Sequence, residues 1–457
     1  MNEPLVTMTH VCRSWRNVLL ATPSLWTQID FSTSKSKQAK GFLGRSEDQP
    51  LDIHQFLETE EDAEPFLSTT LHNLHRLQRL KIGSNLEHLE PVLKRFTRSA
   101  PELKHLEIVN EISATERDMT LHNTIFEAQL PKLLNLSLVY LNTNLRVFTF
   151  PSLTRFKFKT ATNMSVHDLT SFLGRCPLLE FIDICLFHIP MPPTPPPRKR
   201  VRLAALKELT FDQSTCSYGL LDHLILPKCT EMRLKGLFTG AEFDRHGFHA
   251  ARIHPSSIDH LPIMRGITKA VAMPNSCILS GPGGNLRLWC FNGTRGDFDA
   301  EFFTSFSPIS VLEIRELWVG QWASSYSNSP KQPWKQTAAG VRSAFKVLTK
   351  VEDLNIVNCE KEPFFVVLGV TTNDEIPLPG LQRLTIYVGR EDLDVSALTR
   401  CARARKEHSQ PLGEVIIVFE EKPGAGLVEG LESLKGFVGV LLYHVGETLR
   451  LFWHDEG

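Results

Sequence analysis

The sequence predicts an α/β fold in which short parallel strands alternate with helices along a repeat. A strand motif of the form apolar-x-x-apolar-x-apolar occurs twelve times, and the mean spacing is about 28 residues when one unrecognised copy is allowed between Met232 and Trp289. Within each copy apolar and polar residues alternate, as expected of a strand with one buried face. The copies begin at Leu77, Leu103, Leu133, Leu153, Leu179, Leu206, Cys229, Leu286, Ile314, Val351, Leu381 and Leu412. This spacing and pattern are typical of leucine-rich repeats and predict a horseshoe-shaped solenoid.

Helix-like stretches lie between the strands, at Asn85–Arg98, Ser165–Arg175 and Ser396–His408. The even spacing leaves room for one unrecognised copy between Met232 and Trp289. A conventional α/β sheet protein also alternates strands and helices, but it would carry a phosphate-binding turn and ligand groups at a switch point. The sequence has neither feature, which favours the repeat interpretation.

Length and charge narrow the classes of function. A chain of 457 residues exceeds what one core supports, so it forms several domains or a solenoid. The formal net charge of −1 gives no electrostatic reason to expect nucleic acid or a membrane surface as a partner. No apolar stretch is long enough to span a bilayer. Charged residues among the first 20 residues argue against a signal peptide. Nine scattered cysteines favour a reducing compartment, so we expect a cytoplasmic or nuclear protein.

The N-terminal residues follow a different pattern. Val11, Trp15, Val18 and Leu19 form one apolar stripe at helical spacing. Proline after Thr22 ends this predicted helix, because the residue before proline disfavours the α region. A first strand then covers Gln28–Phe31. We expect Trp15, which shares this stripe with Val11 and Leu19, to be buried against Leu25 or Trp26.

These N-terminal residues resemble the C-terminal half of an F-box, in particular the type common in fungal F-box proteins. The resemblance rests on Val11-Cys12-Arg13-Ser14-Trp15-Arg16, Pro23-x-Leu25-Trp26 and Ile29-Asp30-Phe31. The segments Phe42–Ser46 and Pro50–Ile53 are similar to the first repeat of the same group. The matching residues begin after the Leu-Pro-x-Glu-type helix with which the family's domain opens. The motif covers residues 1–31, as a partial F-box, and irregular leucine-rich repeats cover residues 32–457.

The resemblance implies the substrate-recognition subunit of a Skp–Cullin–F-box ubiquitin ligase. Such a subunit catalyses no reaction and holds a target protein near the ubiquitin-conjugating enzyme. The implied adaptor-binding residues are Val11, Cys12, Trp15, Leu19 and Trp26. The alternative from another class is a repeat scaffold that binds a protein without any link to a ligase, because the first F-box helix is not among the matching residues.

The polar strand positions predict where a target protein binds. These positions point away from the core and line the face where partners of repeat proteins usually dock. The predicted target-binding residues are Arg79, Lys81, Arg155, Lys157, Glu316, Trp318 and Asp353. They suggest a face that changes from basic to acidic along the chain. Trp318 is either an exposed anchor for the target or a residue packed under a neighbouring loop.

No sequence motif indicates an enzyme, a cofactor or a metal site. The glycine-rich stretch Ser280–Asn285 lacks the lysine of a phosphate cradle and predicts a turn. The cluster of His246, His249, His254 and His260 lacks cysteine or carboxylate at ligand spacing and predicts loop histidines. Residues 190–202 join a polyproline stretch to a basic cluster, so we expect an exposed insertion between repeats.

Overall fold

A computed structural model describes residues 3–32, 36–84, 86–111, 119–121, 125–128, 130–160, 165–186, 200–212, 217–237, 260–273, 276–290, 313–320, 336–369, 376–389 and 393–445. The chain forms two compact units, Met1–Cys229 and Thr230–Gly457. The predicted boundary after residue 31 lies inside the first unit and stays a prediction.

The first unit is built on parallel strands that pair in chain order. The sheet contains β1 (Gln28–Asp30), β2 (Leu51–Leu57), β3 (Leu77–Ser84), β4 (His105–Asn110), β6 (Asn135–Val139), β8 (Arg155–Thr160), β9 (Phe181–Leu186) and β11 (Glu208–Asp212). Two short parallel pairs accompany it, β5 (Met119–Leu121) with β7 (Leu141–Thr143), and β10 (Val201–Arg202) with β12 (Leu224–Ile225). The helices are α1 (Glu3–Thr9), α2 (Arg13–Leu20), α3 (Ser36–Arg45), α4 (Ala63–His72), α5 (Leu86–Lys94), α6 (Val166–Leu173) and α7 (Ser217–Asp222).

Equivalent motif positions lie side by side in the first unit. The middle apolar residue of one copy pairs with the middle residue of the next, as Leu80 does with Leu106 and Leu106 with Leu136. This row continues through Phe156, Ile182 and Leu209. Leu80, Phe156 and Leu209 are fully buried. The repeated motif therefore predicts the strands and their register together.

The second unit contains the remaining strands and helices. Its strands are β13 (Glu231–Leu237), β14 (Lys269–Met273), β15 (Ser276–Gly281), β16 (Gly284–Cys290), β17 (Glu316–Gly320), β18 (Asp353–Val357), β19 (Arg383–Val388), β20 (Glu414–Phe419) and β21 (Val440–Val445). Its helices are α8 (Ala338–Val347), α9 (Glu362–Leu368), α10 (Val395–Glu407) and α11 (Ala425–Glu432). Strands β17 to β21 pair in parallel and in chain order, as in the first unit.

An antiparallel insertion interrupts the parallel order of the second unit. Strand β15 pairs antiparallel with β14 on one side and with β16 on the other. Strand β14 in turn pairs in parallel with β17, and β16 pairs in parallel with β13. Strand β14 lies where the unrecognised copy was expected, and Ile267, Ala270 and Ala272 supply its three apolar positions. The predicted turn at Ser280–Asn285 is confirmed, because it joins β15 to β16.

Glycine is required in this turn for two reasons. Gly284 has a φ of +125°, which L side chains rarely adopt, and a Cβ there would lie 2.1 Å from the carbonyl oxygen of Thr230. A Cβ on Gly283 would lie 2.3 Å from the carbonyl oxygen of Pro262. Close packing of the backbone therefore explains the glycines without a bound phosphate.

The helices of the second unit form one layer. Helix α8 contacts α9, α9 contacts α10, and α10 contacts α11. Right-handed crossovers between parallel strands in chain order place every helix on the same face of a sheet. Side-chain caps begin α8 and α10, as where the Asp394 carboxylate accepts a hydrogen bond from the Ala397 amide at 2.9 Å. The face of the strands opposite the helices, which we call the open face in each unit, has half-buried side chains on β20, whereas Asn355 of β18 and Thr385 of β19 are buried there.

Two further predictions can be compared with the structure. Residues 190–199 of the predicted insertion lie outside the described residues, but its end forms β10, and Arg200 Nε donates to the Asp222 carbonyl at 2.9 Å. The end of the insertion is therefore paired rather than exposed throughout.

Among the described residues, no helix has both the length and the apolar composition that crossing a membrane requires.

A row of phenylalanines fills the core beneath the first strands. The ring centroids of Phe31 and Phe66 are 5.7 Å apart, those of Phe66 and Phe96 are 6.2 Å apart, and those of Phe96 and Phe126 are 5.2 Å apart. Phe66, Phe96 and Phe126 are fully buried. Each aromatic ring comes from a different strand-to-strand connection, so the row joins consecutive repeats.

Replacing the central ring of this row tests its contribution to stability. Phe96→Ala should lower the free energy of unfolding by about 3–5 kcal/mol, because it opens a cavity between two other rings. Phe96→Leu retains most of the volume and should cost about 1.5 kcal/mol or less. Urea unfolding followed by circular dichroism measures both changes. Equal, small losses in the two variants would show that the row contributes little.

Candidate protein-binding surfaces

Two short helices form the N-terminus, where the sequence predicted one. Helix α1 ends at Thr9, and α2 begins at Arg13 after an extended Cys12. The Cys12 sulfur caps α2 by accepting a hydrogen bond from the Trp15 amide at 3.5 Å. The guanidinium of Arg16 donates to the Thr9 carbonyl at 2.8 Å and ties the two helices together. Val11 therefore precedes α2 instead of continuing its apolar stripe.

The predicted burial of Trp15 is wrong, and the neighbouring apolar residues Val11 and Val18 are exposed as well. Val11 is 67% exposed, Trp15 53% and Val18 64%, and Met8 adds a side chain that is 41% exposed. We call these four residues the N-terminal apolar surface. The helical spacing showed that the stripe is apolar, but it carried no information about which layer covers it. In the described part of the chain no layer does, and exposed apolar groups of this kind mark interaction sites.

The other two predicted adaptor-binding residues support this surface from beneath. Leu19 is 6% exposed and Trp26 is fully buried. The Trp26 indole donates to the Leu19 carbonyl at 2.8 Å, and its ring stacks on Phe42 of α3 with centroids 5.4 Å apart. The Arg45 guanidinium covers the Trp26 ring at 4.7 Å from its centroid. Leu19 and Trp26 are therefore core residues that hold α2 on the first strands.

The open face of the first unit carries the four predicted basic residues, but opposite charges accompany three of them. Arg79 pairs with Asp52 at 3.2 Å and Lys81 with Glu107 at 3.3 Å. Lys157 lies 4.0 Å from Asp183, and the Arg155 guanidinium lies over the Phe181 ring at 5.6 Å. The predicted basic character of this part of the face is therefore wrong, since carboxylates on adjacent strands balance the cations.

The open face of the second unit places Trp318 in an aromatic and ionic cluster. The Trp318 indole donates to a Glu316 carboxylate oxygen at 2.5 Å, and Lys269 Nζ lies 2.8 Å from the same oxygen. Lys269 Nζ also lies 5.2 Å from the centroid of the Trp318 ring. On the other side, the ring of Trp318 is 5.9 Å from that of Tyr387, across strand β18. These contacts hold the half-buried tryptophan in place from both sides.

A second set of charges follows along the same row of strand positions. Arg383 donates to Asp353 at 3.1 Å and to Glu414 at 2.6 Å, so one cation serves two carboxylates. Burial raises the pKa of Asp353, and the nearby Glu316 and Glu414 reinforce this effect against the attraction of Arg383. Burial also acts to raise the pKa of Glu316, but hydrogen bonds from Lys269 and Trp318 outweigh it and lower that pKa.

The structure separates the predicted target-binding residues by unit. Arg79, Lys81, Arg155 and Lys157 belong to the first unit, and Glu316, Trp318 and Asp353 belong to the second. Sequence reasoning missed the residues that pair with them, among them Asp52, Asp183, Lys269 and Tyr387. For Asp52 and Asp183 the signal was present, because the in-register motif copies place them in the rows of Arg79 and Lys157. Lys269 lies on the unrecognised strand β14, and Tyr387 lies in the row next to that of Trp318. Finding these residues required knowing which strands are neighbours.

The described residues contain no cluster of His, Cys, Asp and Glu suited to a metal ion. His246, His249 and His254 of the predicted loop cluster lie outside the described residues. Burial raises the pKa of Cys176 to about 11 and that of Cys401 to about 12, so these thiols stay protonated.

A comparison with protein-family models found no match to this sequence. A comparison with curated proteins found no significant match either.

The two N-terminal tryptophans should differ in their effect on stability. Trp26→Ala should lower the free energy of unfolding by about 3–5 kcal/mol, because the ring is fully enclosed. Trp15→Ala should change it by about 0.5 kcal/mol or less, since half of that side chain already contacts solvent. Urea denaturation of both variants measures the difference. A large loss for Trp15→Ala would show that the exposed ring is structural.

The Glu316 cluster predicts a pH-dependent contribution to stability. The pKa of Glu316 is lower in the folded chain than its ordinary value of 4.5. The ionised carboxylate therefore stabilises the fold fully at a pH above 4.5, and this stabilisation is lost as the pH falls through the lowered pKa. Glu316→Gln should therefore cost up to about 1 kcal/mol at neutral pH and less at about pH 3. Urea unfolding at the two pH values measures this, with the more exposed Glu352→Gln as control. A cost that does not change with pH would contradict it.

Proposed function

We propose that this chain is a non-catalytic recognition subunit of the F-box type, which joins a target protein to a Skp-type adaptor of a ubiquitin ligase. The observation that carries the proposal is the N-terminal apolar surface, since its residues belong to the segment that resembles an F-box. Val11 and Trp15 expose more than half of their side chains, although a monomer gains by burying them. A partner helix that covers them would remove this cost.

The fixed attachment of the N-terminal helices supports the same function. Trp26 joins α2 to α3, and β1 pairs with β2 through Ile29 and Ile53. A partner bound to the N-terminal apolar surface would thus be held in a defined orientation to the first strands. Such positioning is what a ligase subunit requires, because catalysis depends on the effective concentration of the bound target.

We infer further that both units consist of irregular leucine-rich repeats. All twelve copies of the motif overlap a strand, and consecutive copies pair in register from Leu77 to Leu206 and from Ile314 to Leu412. The predicted copy at Leu286 is misplaced by three residues, because Leu286 and not Trp289 aligns with Met232. In the first unit the strand order never reverses, whereas a doubly wound sheet reverses at its switch point. The horseshoe curvature and a target site on the open face stay predictions.

Binding to a Skp-type adaptor tests the proposed function directly. The full chain should co-purify with the adaptor, and Trp15→Asp should weaken the complex by about 2 kcal/mol or more, because it places a charge in an apolar contact. Arg13→Asp is the matched control, since it puts the same charge on an exposed position of the same helix outside the apolar surface. Its effect on affinity should be small.

Two results would contradict the proposal. The wild-type chain could fail to retain the adaptor, or Trp15→Asp could bind it as tightly as Arg13→Asp does. Either result would favour the alternative function, a repeat scaffold that binds a protein without any ligase. Circular dichroism of each variant verifies that the chain is folded.

A further inference from the structure

An apolar field covers the open face of the second unit between β17 and β21. In one row of paired positions, Trp318 aligns with Asn355, Thr385, Ile416 and Leu442 in turn. In the next row, Tyr387 of β19 pairs with Val418 of β20. The field, defined as Trp318, Tyr387, Ile416, Val418 and Leu442, becomes more exposed toward its end, where Leu442 is 47% exposed. Asn355 and Thr385, which lie between Trp318 and Ile416, are buried polar residues. The apolar side chains therefore form two groups, Trp318 with Tyr387 and Ile416 with Val418 and Leu442, and exposed apolar groups mark binding sites.

A charged row borders this apolar field on one side. It runs through Lys269, Glu316, Asp353, Arg383 and Glu414 on adjacent strands. Lys269 neutralises Glu316, but Arg383 is shared between Asp353 and Glu414. The part of the row beside Ile416 therefore carries one more negative charge than positive charge. The side chains of Asp353 and Glu414 are 31% and 28% exposed, so a further cation can reach either carboxylate.

We propose that the open face of the second unit binds an extended peptide segment that carries a lysine or arginine next to a large apolar side chain. This inference rests on the proposed function and gives the chemical class of the target segment. The cation takes a place beside Asp353 and Glu414, where the row lacks positive charge. The neighbouring apolar side chain lies against Ile416 and Leu442.

The dimensions of the field set the length of the segment. Four strand spacings of about 4.8 Å separate Trp318 from Leu442, which gives about 19 Å. An extended chain advances about 3.3 Å per residue, so about six residues cross the field. At the Trp318 end, the rings of Trp318 and Tyr387 offer faces on which an apolar side chain or the stem of an arginine can pack.

The same charges disfavour an acidic segment. A partner carboxylate placed beside Asp353 would face two carboxylates that already share one guanidinium. Burying like charges together is costly, and such repulsion selects between partners. On the described part of the first unit's open face, the carboxylates Asp52, Glu107 and Asp183 each have a cation of their own, in Arg79, Lys81 and Lys157.

Selection from a library of random peptides tests the inference without an identified target. Displayed peptides of about twelve residues, roughly twice the length of the field, are selected on the immobilised full chain. The selected peptides should contain Lys or Arg within one or two positions of Trp, Phe or Leu. Their affinity should fall about tenfold or more for Trp318→Ala and for Glu414→Gln. Lys157→Glu on the open face of the first unit is the control and should leave binding unchanged.

Three results would overturn the inference: no enrichment, an acidic consensus, or peptides whose binding is equal in wild type, Trp318→Ala and Glu414→Gln. Glu414→Gln keeps the shape of the side chain, so it stays informative if Trp318→Ala lowers the melting temperature. Adaptor co-purification separates this inference from the proposed function. A chain that retains the adaptor but selects no peptide contradicts only the inference, and one that selects basic apolar peptides but binds no adaptor contradicts only the ligase function.

Discussion

In-register pairing of identical strand motifs is the constraint on which the rest of this structure depends. When Leu80 pairs with Leu106 and Leu106 with Leu136, each repeat places its apolar residues against those of the next. The hydrophobic core is then a set of rows rather than one centre, and adding a repeat extends the rows without thickening the core. This is how a chain of 457 residues buries its apolar side chains in units built from short strands.

The same register decides which polar residues meet on the open face. Because neighbouring strands present equivalent positions at about 4.8 Å, like charges in one row would repel one another. In the first unit the rows avoid this by placing Asp52 beside Arg79 and Glu107 beside Lys81. In the second unit Glu316 and Asp353 are direct neighbours, and Lys269 and Arg383 lie on their outer sides. Two adjacent carboxylates are an exception to the pairing rule, and burial together with this proximity raises the pKa of Asp353.

Much of the fold could be predicted from the sequence because its signal is repeated. A single copy such as Cys229-x-x-Met232-x-Leu234 is weak, yet twelve copies identify the strands. Helices α5 and α6 lie within the predicted helical stretches, and α10 begins one residue before its stretch. The antiparallel β15 was missed because only its flanking strands have the motif spacing. The division into two units could not be predicted either, because the motif continues past Cys229 and no linker-like stretch of residues marks the boundary.

The candidate surfaces were harder to predict, and the reason is physical. A stripe such as Trp15, Val18 and Leu19 shows that a helix has an apolar face, but burial depends on which element lies opposite. Leu19 belongs to this stripe and is buried, and the Trp26 indole, which stacks on Phe42 of α3, donates to its carbonyl. One stripe thus contains both a core residue and a binding surface. The N-terminal apolar surface and the Trp318 cluster both place large apolar side chains beside a rigid support, which is Trp26 in the first and the paired strands β17 to β19 in the second. Under the proposed function, the first surface would hold the adaptor and the second would lie in the target site, each supported by its own set of strands.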